Sequence, residues 1–209
     1  MITLDIFADP VCPWCLIGKA RLDRALEARP GHPFAIRWQP FQLNPTMPET
    51  GMSRPAYLEA KFGREGAARA YLEVLEAAKD AGVTLDLAAI QTMPNTFDAH
   101  RLLHWAELEG RQTPVMAALL RAYWREGRDI GAINVLTEIA AEAGMDRALV
   151  ARLLDGAADV EEIRAREAHV RERGVRAVPT FILDNRYVLA GAQPTETWLQ
   201  VIDELAAQG

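Results

Sequence analysis

Two cysteines, Cys12 and Cys15, are all that the 209 residues contain. So few cannot build the disulfide framework of a small secreted domain. In a reducing compartment a pair this close is catalytic or metal-binding more often than structural. Basic residues are also short, 23 Lys and Arg against 29 Asp and Glu, for a formal charge of −6. Phosphate binding needs clustered cations, so this balance argues against a nucleic-acid partner. The arginine-rich run Arg164, Arg166, Arg171 and Arg173 alternates with acids and reads as a solvated helix face. No stretch approaches the roughly 20 apolar residues of a membrane span. The start, Met1-Ile2-Thr3-Leu4-Asp5, has neither the basic n-region nor the apolar h-region of a secretory signal. These absences predict a cytoplasmic protein with no membrane partner. What is present, half the chain hydrophobic and a quarter charged, allows one substantial core with room for an insertion.

Thr3 to Ala8 alternates polar and apolar residues as a strand does. A helix is predicted from about Pro13 to Ala28, with Leu16, Ile17, Ala20, Leu22 and Leu26 on its apolar face. Pro13 suits a first helical turn, where its missing N–H costs nothing. Pro30-Gly31-His32-Pro33 ends that helix, and Phe34 to Phe41 reads as a second strand, completing a β-α-β unit. Beyond Asn44-Pro45-Thr46-Met47-Pro48 more than a hundred residues show helical periodicity. Asn95 is a candidate N-cap, and Thr113-Pro114 a second helix start. Gly127, Gly144, Gly156 and Gly174 fall where helices should end. Strand character returns at Thr180 to Leu183 and Tyr187 to Leu189, with Asp184-Asn185 as a two-residue hairpin turn. A last helix, capped by Thr195, turns Trp198, Leu199, Ile202 and Leu205 inward. The order is β-α-β, a helical block, then β-β-α. This is an α/β class in which residues 1–48 and 174–209 share one sheet and 49–173 form an all-α insertion.

Cys12 stands at the predicted start of the first helix, just after a strand. The species that attacks a disulfide is the thiolate, and the unpaired N–H groups and positive dipole end of a helix N-terminus favour an anion. Cys15, one turn on, is placed to resolve a mixed disulfide. A zinc site is the main alternative, because His100 and His104 lie one helical turn apart and would complete four ligands with the cysteines. A purely structural disulfide across so short a loop would restrain the unfolded chain very little. In Ala177-Val178-Pro179-Thr180, Pro179 is either an ordinary strand-opening proline or a cis proline whose preceding residue offers its backbone to an extended substrate near Cys12.

With these residues in view the chain resembles the thioredoxin-fold DsbA family, and most closely its FrnE-like branch. The resemblance rests on Asp9-Pro10-Val11-Cys12-Pro13-Trp14-Cys15, Pro40-Phe41-Gln42-Leu43-Asn44-Pro45, Asn95-Thr96-Phe97-Asp98-Ala99-His100-Arg101-Leu102 and Gly191-Ala192-Gln193, in that order over nearly the full chain. It implies a dithiol–disulfide oxidoreductase or isomerase with no metal or organic cofactor. Its partners would be disulfide-containing proteins or small-molecule thiols, glutathione among them as a redox partner. Cys12 would be the nucleophile, Cys15 the resolving thiol and Pro179 the cis proline. Pro13, Trp14, Val178, His100, Asn95 and Gln193 are the candidate substrate contacts. Where periplasmic DsbA proteins carry Pro-His between the cysteines, this chain has Pro13-Trp14, which implies a less oxidising disulfide; about 30 mV corresponds to 1.4 kcal/mol. A sister group, the kappa-class glutathione transferases and 2-hydroxychromene-2-carboxylate isomerases, resembles the chain in layout but has serine where Cys12 stands. A glutathione-dependent isomerase or transferase is therefore the second reading, and a non-catalytic binding module the third.

Overall fold

The computed structural model describes residues 1–207, without the side chains of 64 and 65. Strand β1 (Ile2–Ala8) runs into helix α1 (Pro13–Ala28) and returns through β2 (Phe34–Pro40). β1 and β2 pair in parallel, Ile2 beside Phe34 through Ala8 beside Pro40. At the far end of the chain β5 (Thr180–Leu183) pairs antiparallel with β1, and β6 (Tyr187–Ala190) with β5, giving the order β2-β1-β5-β6. Helix α8 (Thr195–Ala207) packs beside α1 on one face, where Trp198 meets Phe181 and Phe34 edge-on. β1 is central and covered on both faces, so its residues from Leu4 onward are buried whatever the alternation.

Between β2 and β5 lie β3 (Met52–Ser53), α2 (Arg54–Asp80), β4 (Thr92–Met93), α3 (Phe97–Leu108), α4 (Gln112–Trp124), α5 (Ile133–Glu142), α6 (Arg147–Asp155) and α7 (Val160–Glu172). The block expected to be all helix thus holds one short antiparallel pair, Met52 beside Met93 and Ser53 beside Thr92. Helix α2 breaks at Gly63 (φ 70°, ψ 172°), backbone open only to glycine. One contiguous core runs from the sheet into α3, α4 and α5, while Ile17, Val74, Ala78 and Ala81 form a smaller cluster between α1 and α2. No helix among the described residues is long and apolar enough to cross a membrane.

Several local expectations are corrected. The buried face of α1 is Cys15, Gly18, Leu22 and Ala25 with Ile17, leaving Leu16, Ala20 and Leu26 only half-buried. At buried Gly18 a Cβ would lie 3.1 Å from the Pro179 ring, so glycine there lets α1 approach the start of β5. The hairpin turn takes three residues, since Leu183 pairs with Tyr187, and both Asp184 and Asn185 have positive φ. α3 begins at Phe97 with Thr96 at its N-cap, although the Asn95 side chain accepts from the Phe97 N–H. Of the four arginines at α7, Arg164 and Arg173 are exposed as expected, but Arg166 and Arg171 turn inward. Arg166 donates to Gln39 and contacts His104, and Arg171 donates to the Gln42 carbonyl while lying 4.1 Å from the Phe41 ring centre. α7 crosses the end of β2, so long cationic side chains there cover apolar surface and reach backbone at once.

α4 begins at Gln112, one residue before the expected Thr113-Pro114 start. Both residues serve β2 instead of capping. The Gln112 amide accepts from Trp38 N–H and donates to Trp38 C=O, each at 2.8 Å, and Thr113 accepts from the Trp38 indole. Gln112 therefore occupies the free hydrogen-bonding edge of β2, which would otherwise be a bare strand edge. Gln112→Leu should lower stability by about 2–3 kcal/mol, because it strands two buried backbone groups; urea unfolding measures this, and an unchanged midpoint would show that the amide is dispensable.

Candidate active site

Cys12 occupies the N-cap of α1 in extended conformation, with Pro13 opening the helix. Its N–H donates to the Asp9 carbonyl and its carbonyl accepts from Cys15 and Leu16, so the two cysteines stand one helical turn apart. Both are free thiols, only 3% and 2% exposed. The Val178–Pro179 bond is cis, and the Cys12 thiol donates to the Val178 carbonyl at 3.5 Å. Over Cys12 opens a cavity of about 310 Å3, walled by Pro13 and Trp14, by Tyr57, Lys61, Tyr71 and Val74 of α2, and by Trp124, Arg176 and Val178. The Trp124 indole donates to the Pro10 carbonyl at 3.0 Å, tying α4 to the loop that carries Cys12. Burial above all, with a hydrogen bond to Cys12, holds the Cys15 thiol well above its ordinary range.

A free thiol pair at a helix start, facing a cis proline, is thus walled partly by the sheet ends and partly by the helical block. The profile of the DSBA-like thioredoxin domain family matches residues 3–203 of this chain. The chain belongs to that family. Its fold is similar to that of a probable DsbA oxidoreductase from Streptomyces coelicolor, 31% identical with a TM-score of 0.88, over 100% of this chain and 92% of the other. It is also similar to a 2-hydroxychromene-2-carboxylate isomerase (18% identical, TM-score 0.73, covering 99% and 97%). The third likeness is to the cytosolic disulfide reductase DsbM of Pseudomonas aeruginosa, solved with GSH (23% identical, TM-score 0.70, covering 98% and 99%). The thioredoxin-like fold with a helical insertion is the one these relatives share.

Of the residues singled out in the sequence, Cys12, Pro13, Trp14 and Val178 line one cavity, with Cys15 and Pro179 immediately behind it. The other three are elsewhere. Asn95 holds the segment after β2 by donating to the Met47 carbonyl, and it faces a separate polar cleft with Arg164 and Glu167. Gln193 is on the surface, donating to Ala190. His100 is buried behind β2 with Trp38, Pro40, His104 and Arg166. Burial, only partly offset by its bond to the Phe41 carbonyl, lowers it to about 3, so it stays neutral near pH 7 and is no proton carrier for Cys12. His100 and His104 therefore do not join the cysteines, and the zinc set considered from the sequence is not assembled.

A residue that the sequence did not mark as functional is Asp9, fully buried at the end of β1. Its carboxyl accepts from Leu43 N–H (2.7 Å), Val11 N–H (3.3 Å) and Thr96 Oγ1 (3.3 Å). Desolvation outweighs these bonds and raises it to about 7, and its charge is felt at Cys15. Only its place three residues before Cys12 could have pointed to it, and spacing alone does not say which way an acid faces.

Asp9 binds protons more tightly in the folded chain than in the unfolded one, so it withdraws stability as pH rises from 3.8 to about 7. His100 is neutral when folded and withdraws stability as pH falls from 6.5 towards about 3. Between about pH 4 and 6.5 the two slopes oppose each other. Asp9→Asn should therefore steepen the loss of stability towards acid, and His100→Gln should leave a fall towards neutrality. Urea midpoints between pH 4 and 8 measure both; unchanged slopes in the two variants would refute the assignments.

Proposed function

We propose that the protein is a dithiol–disulfide oxidoreductase, with Cys12 as nucleophile and Cys15 as resolving thiol. The observation that carries this reading is the Cys12 sulfur, set at a helix N-terminus against the carbonyl of cis-linked Val178. The Cys12 thiolate attacks a substrate disulfide, forming one S–S bond while the substrate bond breaks and its far sulfur leaves as a thiol after taking up a proton. Cys15, once deprotonated, attacks the Cys12 sulfur of the mixed disulfide and releases the second substrate thiol. Two electrons have passed to substrate, and the Cys12–Cys15 disulfide is reduced again by two equivalents of an external thiol.

Asp9 is the group that takes the Cys15 proton in this scheme. Its titration near neutrality lets one carboxyl both accept and return a proton at working pH. The external thiol is glutathione or one of similar charge. The cavity carries two cations, Lys61 and Arg176, and one acid, Glu73, which mirrors the two carboxylates and one ammonium of that tripeptide. Lys61 is held in place by the Tyr57 hydroxyl at 2.6 Å, which in turn donates to Asn44. Trp14 supplies apolar surface where an imidazole would stabilise a thiolate, so the couple is less oxidising than that of periplasmic DsbA proteins. Paired cysteines weigh against the isomerase or transferase alternative, whose chemistry uses one hydroxyl to activate glutathione.

Fluorescence across a glutathione redox series, with Trp14 beside the couple, should report a two-electron transition that Cys12→Ser abolishes. Cys15→Ser should accumulate a mixed disulfide, seen as a mass increment that a dithiol removes. A wild-type protein without any transition, or Cys12→Ser retaining turnover of a glutathione conjugate, would overturn the proposal.

A further inference from the structure

Two acids of the first strand region are buried, and only one of them has a cation. Asp5 is bound by the Arg37 guanidinium at 3.0 and 3.1 Å and by Gln39 at 2.7 Å. Asp9 is fully buried, and among the described residues no cation donates to it. Leaving a deep carboxyl without a countercharge is costly. A guanidinium is at hand but committed elsewhere. Arg171 donates to Glu167 at 2.8 Å and to the Gln42 carbonyl, and it lies over the Phe41 ring.

Glu167 is itself buried, 8% exposed. It accepts the Gln42 N–H at 2.7 Å, and Asp9 accepts the next one along, Leu43 N–H, also at 2.7 Å. Two carboxyls thus grip consecutive peptide groups of one short segment. Holding the Gln42 N–H needs only an acceptor oxygen, which a neutral glutamine would supply as well. The charge of Glu167 therefore goes beyond that task. Burial raises Asp9 most, and the Glu167 charge raises it further. Gln42, Glu167 and Arg171 line the polar cleft of about 430 Å3, whereas Leu43 lines the cavity over Cys12. The segment has the ion pair on one side of its chain and the redox site on the other. Cys15 of α1 and Tyr123 of α4 also sense the Asp9 charge. Asp98 of α3, Glu49 and Arg164 stand with the ion pair along the cleft.

We infer that Glu167 is a positioning residue for the resolving step: it keeps Arg171 off Asp9 and so makes Asp9 the stronger base towards the Cys15 proton. This rests on the disulfide-exchange reading, in which Asp9 takes that proton. Transfer is favoured when donor and acceptor have matched affinities, and burial has raised the Cys15 thiol. A cation on Asp9 would widen the gap between them. The helical block, through α7, thereby tunes a proton transfer at the end of β1.

Carbon-13 NMR of the Asp9 carboxyl, assigned with Asp9→Asn, reads its titration in the reduced protein. In Glu167→Gln, which keeps an acceptor for Gln42 N–H, the midpoint should fall below about 7. In Arg171→Met, which keeps apolar cover over Phe41 but leaves Glu167 uncompensated, it should rise above about 7. Loss of packing alone would not move the two variants in opposite directions, and either variant decides the sign if the other does not fold. Release of thiol from a mixed disulfide on Cys12, followed against pH, should shift the same two ways. Its limiting rate should drop several-fold in Glu167→Gln. An unmoved Asp9 midpoint, shifts of one sign in both variants, or a slower rate on an unmoved pH profile would sink the inference. The carboxyl titration needs no disulfide exchange, so a protein with no redox transition would end the exchange reading while these NMR shifts still stand or fall by themselves.

Discussion

The Asp9 carboxylate gathers hydrogen bonds from Val11, Leu43 and Thr96, while its own backbone carbonyl holds the Cys12 N–H. Four stretches of chain thus meet at one buried residue: the end of β1, the cysteine loop, the segment after β2 and the entry to α3. Burying a carboxylate is costly, and only a full set of donors makes it tolerable. The same set fixes where the loop carrying Cys12 leaves the sheet. The geometry of the thiols, of the α1 start and of the facing cis bond is referred to that point.

The helical block is a structural partner of the sheet in the same sense. Gln112 occupies the open edge of β2, Trp124 grips Pro10, and Arg171 reaches the Gln42 carbonyl across the Phe41 ring. A further bond set operates inside the block. Arg101, 3% exposed, donates to the carbonyls of Leu153, Leu154, Gly156 and Ala158 and pairs with Asp98. Those carbonyls end α6 and lead into α7, groups that a helix C-terminus leaves without partners. The turn so held aims α7 across β2.

The strands, α1 and the terminal helix were legible because each carries its own period: alternation in Thr3 to Ala8, a proline start at Pro13, inward Trp198 and Ile202 at helical spacing. Cys12, Cys15, Val178 and Pro179 were legible because motif and chain order agree on one place. What stayed hidden is polar and long-range. Asp9, Gln112 and Arg101 look like ordinary surface residues in sequence, since nothing local reveals that their partners lie 34, 74 and more than 50 positions away. Asn95 and His100 are candidate substrate contacts only through the family resemblance, which does not say which way their helix faces. The fold puts α3 behind the segment after β2, so these side chains consolidate that segment. The break in α2 at Gly63 and the short β3–β4 pair went unseen because two residues of strand leave no readable period.

The sheet order β2-β1-β5-β6 has a consequence for how the chain becomes functional. β1, made first, must keep one edge free until β5 arrives some 175 residues later. Contacts of such sequence separation are slow to form and leave an unpaired edge exposed meanwhile. Until β5 pairs with β1, the Val178 carbonyl that faces the Cys12 thiol in the folded chain is not in place. The cysteine motif is thus chemistry without direction until the Val178 carbonyl arrives beside it.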